Sequence, residues 1–160
     1  MTPYADTNLF IRVYLDLPGS AEADALLGSA RSRETAPLPV TWLLQAEATN
    51  AFEHCVYLGR HPDHPTVTPE QAAIAHATFR DDIAAQGFLR PVRLPETLLA
   101  RQIEELALRH TARHGFRTYD LLHVASALLL GCDAFWSFDE RALKLARLEG
   151  LKAPSRQRRS

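Results

Sequence analysis

RTYDLLHVASALLLGCDAFWSFDERALKLA, residues 117–146, holds three short elements whose order decides the fold. From Asp120 to Leu130 the apolar Leu121, Leu122, Val124, Ala125, Ala127, Leu128, Leu129 and Leu130 leave almost no polar stripe, the pattern of a helix buried on most sides. Gly131, which accepts positive φ, ends it. Ala134 to Phe138 then reads as a short strand, too brief and too aromatic for another helix. Asp139 stands where it caps the next helix, Glu140 to Leu148. One carboxylate thus falls at the start of a buried helix and another just past the C-terminal end of a strand, where ligands gather in α/β sheets.

Working outward, Pro3 to Ala5 reads as a strand that leads into Asp6, after which Leu9, Phe10, Val13 and Tyr14 share one helical face. Asp6 at that corner also suits an ordinary helix cap. A second helix is predicted from Ala21 to Ala30. Leu38 to Val40 is a weak strand in which Pro39 favours an edge. Along Thr41 to Leu58, the residues Val40, Leu43, Leu44, Glu47, Ala51, Cys55 and Leu58 recur at helical spacing, and Glu47 interrupts the stripe. A carboxylate facing a core is costly unless it pairs with a cation such as Arg or binds a metal.

The loop 59–69, GRHPDHPTVTP, cannot be helical with three prolines and separates two helical stretches. Helix resumes from Glu70 to Gln86, with Thr68 as cap and Pro69 at the first position. Leu89 to Leu94 is a candidate strand despite Pro91, and Pro95 opens a helix through Arg113. Short strands alternating with helices point to a parallel sheet covered on both faces, in one domain over 1–153 with a basic, disordered tail at 154–160.

A chain of 160 residues, 46% hydrophobic, buries a core without staples. Its net charge of −1 excludes a bulk positive field, but residues 141–160 carry seven Lys/Arg against one acid, leaving a net of −7 on the rest. Cys55 and Cys132 lack ligand spacing and read as buried free thiols in apolar helical contexts, in a reducing compartment. No apolar run reaches membrane length and no basic leader opens the chain, so a cytoplasmic protein is expected.

Four acids therefore stand out: Asp6, Glu47, Asp120 and Asp139. Each Asp alone has a helix-start explanation, since the dipole favours an acid there. If they converge, the ligands are all oxygens, which suits Mg²⁺ or Mn²⁺ rather than zinc.

YADTNLF at the start, LLQAEATNAF in the middle and the 117–146 block together resemble the PIN-domain ribonucleases, particularly the toxin halves of toxin-antitoxin pairs of the VapBC type. The resemblance implies a three-layer α/β/α fold with a short-stranded, mainly parallel central sheet. It implies that Asp6, Glu47, Asp120 and Asp139 bind a divalent cation and carry catalysis, with Thr7 and Ser137 as supporting hydroxyls, Ser137 replacing the commoner Thr. His123 falls where His is frequent, as a supporting or packing residue. The implied partners are an RNA substrate, a cognate antitoxin and a second copy of the chain. Loop 59–69 matches no family motif.

RNA is expected at Arg117 and Arg141 and along the tail at Arg156, Arg158 and Arg159, with unpaired regions the better target because their bases are open to reading. Rival readings fare worse. His110 with His114, or His61 with His64, lacks a further zinc ligand at a telling spacing. An aspartyl-phosphate phosphotransferase usually places a second Asp two residues after its nucleophile, and here that position is Asn8. A catalytically silent PIN-like binding module is opposed by the presence of all four acids. No dinucleotide-binding loop, phosphate-binding loop or nucleophile elbow occurs.

Overall fold

Polar side chains just ahead of apolar runs set where the helices begin. In the structure, a computed structural model that describes residues 1–154, Asp6 follows strand β1 (Pro3–Ala5) and accepts the Asn8 backbone N–H at 3.0 Å. That opens α1 (Thr7–Leu15). After α2 (Ser20–Arg31) and β2 (Leu38–Val40), Thr41 accepts the Leu44 N–H at 3.2 Å and opens α3 (Trp42–Leu58). Thr68 and Gln71 then form a reciprocal capping box, with Pro69 as the first residue of α4 (Pro69–Ala85). The basic residues Arg156, Arg158 and Arg159 of the expected tail lie outside the described residues.

Contacts within the chain gather into two compact units, one of residues 5–93 and one in which Met1–Tyr4 joins the chain from Leu94 onward. In the first, α1 packs on α2, α3 and α4, and α3 packs on α4. Their core is aromatic. Phe79 meets Phe10 at 5.1 Å, Tyr14 at 5.4 Å and Phe52 at 6.1 Å between ring centroids. The Tyr14 hydroxyl donates to Asp82 at 2.5 Å, and burial with that carboxylate raises the phenol well above its ordinary value. β2 pairs in parallel with β3 (Leu89–Pro91), Leu38 opposite Leu89. Both Pro39 and Pro91 sit in this two-stranded sheet, where every strand is an edge and a missing N–H costs least.

The face of α3 differs from the expected one. Its buried stripe is Leu44, Ala48, Phe52 and Val56, a run of i, i+4 steps, whereas Glu47 and Cys55 lie on the half-buried flank. Alanines in the helix blurred the pattern, because Ala46, Ala48 and Ala51 read alike and only Ala48 is fully buried.

In the second unit, α5 (Glu96–Leu106) widens into a π-helical turn, Ala107–Thr111, before a last short helix α6 (Ala112–His114). A periodicity of 3.6 does not register that widening. α7 (Thr118–Leu129) packs on α5 and on α8 (Glu140–Leu148), with β4 (Ala134–Trp136) between α7 and α8 in sequence. Gly131 takes φ +67° after α7, as its place in the sequence predicts. β4 is three residues long, shorter than the expected Ala134 to Phe138, because Ser137 turns the chain by accepting the Asp139 N–H at 2.9 Å. β4 pairs with β1, and Tyr4 stacks on Phe135 with centroids 5.7 Å apart and planes 9° apart. Cys132 is buried just beyond α7 rather than inside it, and both cysteines are free thiols.

Candidate metal centre

Within the unit of residues 5–93, the chain brings two of the four acids near one another through a hydroxyl. Asp6 is 2% exposed and held by its cap on α1. The next residue, Thr7, is buried on the first turn of α1, and its hydroxyl donates to the carboxylate of Glu47 on α3. That bond joins residues 40 apart in sequence and gives the half-buried acid on α3 a polar partner.

In the other unit, Asp120 is 6% exposed at the third position of α7, where its carboxylate accepts the Arg117 backbone N–H at 2.8 Å. Asp139 caps α8 by accepting the Arg141 N–H at 2.8 Å. Ser137 is buried, and its oxygen fixes the backbone N–H of Asp139, so the hydroxyl sets the approach of that acid. His123 lies one turn after Asp120, buried, with Nδ1 sharing a 3.0 Å hydrogen bond with the Tyr4 hydroxyl. Of the expected RNA contacts, the Arg117 side chain is exposed and Arg141 is half-exposed.

The three aspartates thus keep their helix-start role, each with one oxygen on a backbone N–H. An ionised carboxylate offers about four lone-pair positions, so capping fixes the rotamer and leaves acceptor capacity for a cation. Glu and Asp oxygens with hydroxyl support fit Mg²⁺ or Mn²⁺ by donor chemistry. Among the described residues, no group of three or more His, Cys, Asp or Glu side chains is gathered so as to hold a metal ion.

The histidine pairs behave differently. His110 Nε2 meets a carboxylate oxygen of Glu149 at 2.5 Å, and Arg109 reaches both oxygens of the same group at 2.9 Å. His114 stands 6.4 Å from His110 between ring centroids. Partial desolvation, then the charges of Lys144, Arg113 and His110, hold its ring below the usual histidine value. His61 and His64 are exposed in the loop, joined by a backbone turn bond of 3.1 Å.

Tyr4 is the residue sequence reasoning passed over. A phenol in a strand buried at every position needs a partner, and that requirement was the available signal. No helix among the described residues is long and apolar enough to cross a membrane. No curated protein matches the chain at a significant level. The sequence does match the PIN domain family over residues 4–148, which spans both the Asp6 and Glu47 pair and the 120–139 block; the fold is α/β and PIN-like, and the chain belongs to the PIN domain family.

Proposed function

We propose that this protein is a divalent-metal-dependent endoribonuclease that cuts single-stranded or loop RNA and serves as the toxin of a toxin-antitoxin pair. Membership of a nuclease family supports the broad reading. The single observation that carries it further is the Thr7 hydroxyl, which lies one residue from the buried Asp6 and binds the Glu47 carboxylate.

In this reading Asp6, Glu47, Asp120 and Asp139 are the cation ligands and Thr7 and Ser137 hold two of them in place. When bound, Mg²⁺ or Mn²⁺ lowers the pKa of a water and offsets charge on the scissile phosphate. Thr7 orients Glu47 by donating to it. The backbone N–H bonds at Asp6, Asp120 and Asp139 each fix one carboxylate oxygen. Arg117 and Arg141 take the phosphates on either side. His123, tied to Tyr4, supports α7 beneath Asp120. A cognate antitoxin, a homodimer and a cytoplasmic site of action belong to the same proposal.

A second reading is a PIN-like module that holds RNA or protein without cutting it. The lack of a gathered three-ligand group among the described residues favours it. Incubating the purified protein with a labelled single-stranded RNA separates the two. Cleavage in Mg²⁺ or Mn²⁺ that EDTA abolishes is the expected result, and cleavage undiminished by EDTA, or none under any metal, overturns the proposal.

A further inference from the structure

From Asp120 to Ala127 every residue of α7 except Leu122 is buried. Tyr119, one position ahead of Asp120, is 60% exposed. Among the described residues of the unit that runs from Leu94 onward it is the one exposed aromatic, since Phe116, Phe135 and Trp136 are buried and Phe138 is half-buried. Among those residues its ring stacks on no other ring and its hydroxyl makes no hydrogen bond.

Single exposed rings are ordinary, and Trp42 and Tyr57 on α3 are two more. What sets Tyr119 apart is the turn it stands in. The Arg117 N–H donates to the Asp120 carboxylate at 2.8 Å, which closes 117–120 into one turn with the exposed Arg117 side chain at one end and a proposed cation ligand at the other. Consecutive Cα atoms are about 3.8 Å apart, so a strand whose phosphate lies at Asp120 carries its nearest base past the Tyr119 ring. A protein partner is the poorer occupant. The exposed residues beside the ring, Arg117 and Thr118, are polar, and one ring next to them is not the contiguous apolar stripe against which a helix face docks. A nucleotide matches the whole turn, with an anion for the guanidinium and the bound cation and a flat face for the phenol.

We propose that Tyr119 is the stacking platform for one unpaired base of the RNA substrate, adjacent to the phosphate that is cut. The proposal rests on the nuclease reading and adds to it a reason for single strands: a base seated on the ring has left its own neighbours, which the interior of a duplex does not permit. Every base has a π face, so the ring admits any of them and leaves the choice of sequence to other groups.

The test measures, with Ca²⁺ in place of Mg²⁺, the binding of a mixed-sequence single-stranded ribo-oligomer and of the same strand made abasic to the full chain, to Tyr119→Ala and to Tyr119→Phe. Tyr119→Ala weakens binding of the intact oligomer about tenfold, Tyr119→Phe restores most of that loss, and the abasic strand binds the parent and Tyr119→Ala alike. Damage to the turn itself would lower both strands together. Equal losses on the intact and abasic strands therefore overturn the proposal, as does an intact oligomer that Tyr119→Ala binds as tightly as the parent, or that the parent does not bind at all. Sedimentation without RNA reads the other occupant: self-association that Tyr119→Ala abolishes, with RNA binding unchanged, gives the ring to a second copy of the chain and overturns the proposal. The Mg²⁺ cleavage assay reads the nuclease separately. A parent that shows the base-dependent loss but cuts nothing keeps the platform and loses the nuclease, whereas one that cuts, although Tyr119→Ala binds as it does, keeps the nuclease and loses the platform.

Discussion

Asp120 has a capping role and, in the proposed function, a ligand role, and a single substitution separates the two. Its carboxylate caps the α7 start through the Arg117 N–H, and an amide oxygen accepts that same bond. Asp120→Asn therefore costs only the attraction between charge and helix dipole, about 0.5–1 kcal/mol. In a chain of this size that lowers the melting temperature by roughly 1–4 °C, while RNA cleavage falls to background. Calorimetry and a cleavage assay on one sample check both halves, and retained cleavage counts against Asp120 as a ligand. Asp133 is a different kind of acid. The Thr2 backbone N–H donates to it at 2.6 Å, and that bond, with the N-terminal charge and Lys152, holds its carboxyl below the ordinary aspartate value. The ionised form is favoured in the folded chain, so its stabilising contribution is present above the unfolded value of about 3.9 and is lost as pH falls through the lowered folded one. Asp133→Asn should melt below the parent at neutral pH, and the gap should close on acidification; a gap that widens in acid would contradict the assignment.

At the level of elements, two glycines give opposite forecasts. Gly59 at the end of α3 faces backbone atoms of the returning loop, which cannot swing away as a side-chain tip can. Gly59→Ala should cost about 1–3 kcal/mol through overpacking. Gly28, inside α2, has nothing within 4 Å of a Cβ. Gly28→Ala should gain about 0.5–1 kcal/mol, because alanine loses less backbone freedom on entering a helix. Chemical denaturation of the pair checks both signs at once. Elements that announce themselves by local chemistry were legible from sequence: Thr68 and Pro69 at the α4 start, Asp139 at the α8 start and Gly131 past α7 all fall where they were read. The flank assignment of Glu47 and the π-helical turn were not, since the first depends on which of several alanines faces inward and the second is a local widening that a 3.6-residue periodicity does not register.

For the molecule as a whole, the unit of residues 5–93 depends on a ring cluster with Phe79 at its hub. Phe79 is 1% exposed and touches rings from α1 and α3. Phe79→Ala should cost about 3–5 kcal/mol, much of the stability expected of a domain, and a denaturation midpoint that barely moves would show that the helices hold without it. The alternation of short strands and helices was readable from local signals, and the PIN-like form from the resemblance carried by YADTNLF, LLQAEATNAF and the 117–146 block. Which side chains approach one another was not, because the Thr7 to Glu47 bond and the Tyr4 to His123 bond join residues 40 and 119 apart in sequence, and no local periodicity encodes a pairing at that range. The capping geometry at Asp6, Asp120 and Asp139 also bears on descent. Asparagine is a helix cap about as good as aspartate and lies one nucleotide change away in the genetic code. Under the proposed nuclease function, single-base steps to asparagine at these positions would silence the chain while keeping an oxygen acceptor at each helix start, so inactive descendants would still fold.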